Sequence, residues 1–71
     1  MQQQTIVERM AEMIDYLDGV IFDAGTPEAV RDKNRLSLAQ QQKFTAWVNE
    51  MKRLRQSTKR LQGNCVREGI G

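Results

Sequence analysis

The sequence predicts an all-α fold: an antiparallel helical hairpin with a short linking helix, dimerising into a four-helix bundle. Three observations predict it. Apolar residues recur at helical spacing in two long stretches, and a capping Thr or Ser stands before each. The apolar arc of the first stretch is also too wide for a seam with one neighbour.

That first stretch is the clearest periodic signal. Ile6, Val7, Met10, Met13, Ile14, Leu17, Val20 and Ile21 fall within an arc of roughly 140° at about 100° per residue. Glu8, Glu12, Asp15 and Asp23 lie on the far side. Thr5 followed by Glu8 has the spacing of a capping box. The first helix is therefore placed at about 5–23, with Gln2 to Gln4 as a frayed lead-in. A strict two-helix seam needs only a and d positions. The broader arc asks for contact with more than one helix, which a lone hairpin does not supply. Gly19 costs up to about 1 kcal/mol relative to alanine. It is either tolerated or admits another helix closely. Phe22 falls on the polar side, where it either packs on the following turn or stands as an exposed contact point.

The linker has its own local logic. Gly25 suits the end of the first helix. Thr26 caps a new one, and Pro27 takes the first helical position, where its missing N–H does no harm. A short helix over about 27–33 follows. Its apolar anchors are Ala29, Val30 and Leu36, so it is expected to lie over one end of the bundle.

Ser37 with Gln40 opens the third element with a second capping-box spacing. The long helix is placed at about 37–62, roughly 39 Å at about 1.5 Å per residue. Phe44, Trp47, Met51, Leu54, Thr58 and Leu61 alternate steps of three and four, the rhythm of a coiled-coil seam. Val48 widens the stripe and Thr58 is its weak point. Gly63 is read as the left-handed residue that closes the helix, leaving 63–71 as a flexible tail.

The 71 residues make one small domain, 1–71. Chains below about 70–80 residues commonly need a staple or a second copy. One cysteine and no histidine allow no intramolecular disulfide and point to a reducing, cytoplasmic setting. The N-terminus lacks the pattern of a secretory signal. No run of about 18 apolar residues suggests a membrane span.

Net charge is +2, but it is unevenly spread. From Met1 to Asp23, Arg9 stands against Glu8, Glu12, Asp15, Asp18 and Asp23, a balance of −4. From Ser37 onward, Lys43, Lys52, Arg53, Arg55, Lys59, Arg60 and Arg67 stand against Glu50 and Glu68, a balance of +5. Opposite signs favour antiparallel pairing of the two helices. They also leave a basic surface for an acidic partner.

No catalytic, cofactor-binding or metal residue is assigned. Glu8, Glu12 and Asp15 share a helix face but lack further ligands, so they read as a solvated acidic face. Cys65 has no histidine to activate it. The segment Val20 to Thr26 resembles the nucleophile motif of haloacid-dehalogenase-like phosphatases. It lacks that motif's second aspartate, and the chain has no room for the parallel sheet those enzymes need.

The core or dimer interface is assigned to Ile6, Met10, Met13, Ile14, Leu17, Val20, Ile21, Phe44, Trp47, Val48, Met51, Leu54 and Leu61. Lys52, Arg53, Arg55, Lys59 and Arg60 are the candidate contacts to a partner or to phosphate. Arg55 points towards the stripe, where its stem can cover the core edge. No aromatic is interleaved among these bases, as single-strand binding would favour. A helix-turn-helix fits poorly, because the turn lacks its usual glycine and the second helix is too long.

The function expected is that of a non-enzymatic interaction protein, a homodimer that binds a partner protein and inhibits or adapts it. The partner is acidic at the contact, with no membrane and no small-molecule substrate. A nucleic-acid-binding regulator using the basic helix is the second reading, and a structural subunit the third. Size and composition are similar to those of small accessory reading frames of phages and plasmids.

Overall fold

A computed structural model describes residues 5–69. Among them the chain forms three helices: α1 (Ile6–Ala24), α2 (Pro27–Asn34) and α3 (Leu38–Arg67). The lead-in at Gln2 to Gln4, and the last two residues of the expected tail, lie outside the described residues.

Each helix begins where its cap residue stands. The Thr5 hydroxyl accepts from the Glu8 N–H at 3.2 Å, and the Thr26 hydroxyl from the Ala29 N–H at 3.2 Å. Ser37 and Gln40 form both bonds of a capping box, at 3.2 and 3.4 Å. These bonds satisfy donors that a helix start leaves without partners. They also fix the two turns: one at Gly25 and Thr26, the other at Arg35 to Ser37.

α1 and α3 pack antiparallel, and α2 spans their linked end. Two contacts between α1 and α3 set the register. Arg55 meets Asp18, and the Gln62 side-chain amide donates to the Val7 carbonyl at 3.2 Å. The core is small: Met10, Ile14 and Leu17 of α1, with Leu17 only 2% exposed. Val7, Val20 and Ile21 are half-buried beside them.

Two expectations about α3 are corrected. The helix does not close at Gly63; it runs on to Arg67. One glycine costs about 1 kcal/mol, while the next turn keeps Cys65 half-buried on the side facing α1. The left-handed residue is Gly69, at φ 73°. Cys65 is therefore part of a helix seam and does not sit in a loose tail.

The seam itself is also rotated. The side chains of α3 turned towards α1 are Gln41, Phe44, Val48, Met51, Arg55, Thr58, Gln62 and Cys65, all half-buried. They keep the three-and-four rhythm and share Phe44, Met51 and Thr58 with the expected stripe, together with Val48, which was expected to widen it. Trp47, Leu54 and Leu61 lie one step round the helix and are 45%, 48% and 56% exposed. The polar members of the seam are satisfied: the Thr58 hydroxyl donates to the Leu54 carbonyl at 2.7 Å, and Gln62 reaches Val7.

Candidate functional site

The hairpin has two broad sides of opposite character. At about 100° per residue, positions seven apart stay on nearly the same side of a helix. On α1 one flank of the buried row carries Ile6, Met13 and Val20. On α3 the flank carries Trp47, Leu54 and Leu61. In an antiparallel pair these two flanks point to the same side of the hairpin. The result is one apolar face built from both helices. Ile6 and Met13 are exposed like their α3 neighbours, and Val20 is half-buried. Trp47 rests against Phe44, with ring centroids 5.9 Å apart at 39°. That contact holds the indole while leaving nearly half of it bare.

The opposite side is polar and basic. Lys52 and Lys59 stand there, one turn of the seven-residue rhythm apart. An open groove of about 520 Å³ runs between Asp18 and Ile21 of α1 and Lys52, Arg55, Gln56 and Lys59 of α3. α2 lies on this side too. Its Val30 and Lys33 share a hollow with Thr45, Asn49 and Lys52. The linking helix thus partly covers the basic side and leaves the apolar face open.

The five candidate bases stand at three positions around α3. Arg55 is in the seam, two-thirds buried, and its guanidinium is engaged by the Asp18 carboxylate. Its aliphatic stem lies along the core edge, as expected, but its charge faces a partner within the chain. Arg53 pairs with Glu50 at 3.4 Å and, with Arg60, lies on the back of α3. Lys52 and Lys59 are the exposed pair beside the groove.

The remaining sequence-assigned residues divide by burial. Met10, Ile14 and Leu17 form the buried core, and Ile21, Phe44, Val48 and Met51 line it half-buried. Ile6, Met13, Trp47, Leu54 and Leu61 are exposed and take no part in that core. Phe22, left between two placements by the sequence, is 75% exposed. The seam residues Asp18, Gln62 and Cys65 were not assigned from sequence. For Gln62 and Cys65 the signal was the three-and-four rhythm continuing from Thr58, hidden by a polar identity and by Gly63; Asp18 carried no such signal.

Among the described residues, no group of three or more His, Cys, Asp or Glu side chains gathers where a metal ion could be held. Among the same residues, no helix is long and apolar enough to cross a membrane. Compared with known proteins, the chain matches no family model, no curated sequence and no solved structure.

Proposed function

We propose that this protein is a non-enzymatic interaction module that works as a homodimer and modulates a partner protein. One observation carries the reading: the apolar face formed by Ile6, Met13 and Val20 with Trp47, Leu54 and Leu61. A core of three buried side chains is small for a stable 71-residue fold, and chains of this size commonly complete their core by association. Large contiguous apolar surface on a small protein marks an interaction site. The dimer is the scaffold. The opposite side, with Lys52, Lys59 and the edge of α2, is what it presents to a partner acidic at the contact.

Trp47 is the single tryptophan, so its emission reports the face directly. The expected result is a blue shift as protein concentration rises, lost in Leu54→Asp. An emission maximum that stays constant with concentration, and is the same in the variant, counts against the reading.

A nucleic-acid-binding regulator is the second reading, favoured by the exposed Lys52 and Lys59 beside an open groove. Phosphate binding falls steeply as salt rises. Titration of duplex DNA and of RNA across a salt series checks it. Lys52→Glu with Lys59→Glu should then abolish binding without changing Trp47 emission.

A further inference from the structure

We infer that the dimer pairs each α1 with the partner's α3, about a two-fold axis running along the helices. The inference rests on the homodimer reading above and names the arrangement within it.

The register of the hairpin is the starting point. The Asp18–Arg55 and Val7–Gln62 contacts stand eleven residues apart on α1 and seven apart on α3, so they bracket the register; midway between them the two apolar rows interleave along the long axis. The order from one end to the other is Ile6, Leu61, Met13, Leu54, Val20, Trp47.

Two face-to-face two-fold arrangements are open to such a hairpin. An axis along the helices lays α1 on the partner's α3 and leaves every residue at its own level. The interleaving built into one hairpin then carries over to the pair. Met13 enters between Leu54 and Leu61 of the partner subunit, and Val20 between its Trp47 and Leu54. Side chains meet as knobs entering gaps, the packing that helix bundles use. An axis across the helices lays α1 on α1 and α3 on α3. Like rows then oppose each other, with Met13 against its own copy.

Charge points the same way. α1 carries Glu8, Glu12, Asp15, Asp18 and Asp23 against Arg9, while α3 is basic. Pairing α1 with the partner's α3 gives every acidic helix two basic neighbours. The rival arrangement sets acidic against acidic and basic against basic, which is repulsive. Both copies of α2 then lie at one end of the dimer, and the two basic sides face outwards in opposite directions.

The rim of the face supplies a test that leaves the packing intact. Tyr16 on α1 and Ser57 on α3 are exposed and nearly level, and each lies just outside the apolar row on the outer edge of its helix. In the inferred arrangement Tyr16 faces the partner's Ser57. Tyr16→Cys and Ser57→Cys are made separately in a Cys65→Ser chain, mixed, refolded together and oxidised. Mass spectrometry identifies the linked peptides, and light scattering of each unoxidised protein checks its mass. The expected result is the mixed 16–57 disulfide as the main product, with self-pairs at background. A dimer in which Tyr16→Cys links to itself overturns the arrangement but keeps the homodimer. A monomeric Cys65→Ser chain overturns both.

Discussion

The two halves of α3 meet α1 with different chemistry. From Phe44 to Met51 the side turned inward is apolar: Phe44, Val48 and Met51, half-buried against the linked end of α1. From Leu54 to Cys65 the inward side is Arg55, Thr58, Gln62 and Cys65, while Leu54 and Leu61 face out. The first half is ordinary hairpin packing. The second half places hydrogen bonds and an ion pair where apolar contact would stabilise a hairpin more. A helix that turns its leucines away from the long helix it packs on is arranged for a further neighbour. The difference teaches that a single hairpin accounts for half of α3, and that the outward stripe needs its own explanation.

The sharpest way to break the comparison is to remove what both halves lean on. Leu17 is the most deeply buried side chain. Leu17→Ala should cost about 2–4 kcal/mol, read by urea denaturation. A loss under about 0.5 kcal/mol would mean that the α1–α3 seam is not the core.

The next test separates the halves. Leu61→Asp touches only the outward stripe. In an isolated hairpin an exposed substitution of this kind stays within about ±0.5 kcal/mol. With a second copy on the face, it should abolish association and lower the thermal midpoint in a concentration-dependent way, read by circular dichroism at two protein concentrations.

Much of this architecture was legible in the residues. The caps at Thr5, Thr26 and Ser37, Pro27 at a helix start and the wide arc of α1 all depend on local chemistry, and local chemistry is what spacing records. The register of α3 was not legible. Two seams of identical rhythm share Phe44, Met51 and Thr58, and the choice between them depends on which partner α1 offers. Hydrophobicity chose Trp47, Leu54 and Leu61 beside Val48; the hairpin kept Val48 and chose Arg55 and Gln62. Gly63 misled for a related reason: a helix end is decided by what the next turn can pack, and Cys65 still reaches the seam. The spacing of Arg55 points it towards the stripe, but its pairing with Asp18, 37 residues away in sequence, was not legible.

Two smaller effects sharpen the picture. A side chain added at Gly19 or at Gly63 would meet nothing within 4 Å, and neither residue lies on the apolar face. Gly19→Ala and Gly63→Ala should each stabilise by about 0.5–1 kcal/mol, additively, in denaturant titrations with unchanged association. A destabilising Gly19→Ala would reveal a close neighbour on the outer side of α1. Smallest of all, the Asp18–Arg55 pair is partly open to solvent, with side chains 48% and 34% exposed. Its coupling in a double-mutant cycle should be under about 1 kcal/mol and should shrink with added salt. A larger, salt-independent coupling would make the polar half of the seam a main support of the hairpin.

The central claim is that the outward stripe of α3 is covered by a second copy of the chain. Sedimentation equilibrium of the full-length protein over a range of concentrations tests it most directly. The expected result is a folded species of twice the 8.2 kDa chain mass, falling to single-chain mass in Leu61→Asp. A stable, fully helical species at 8.2 kDa across the whole range would contradict it.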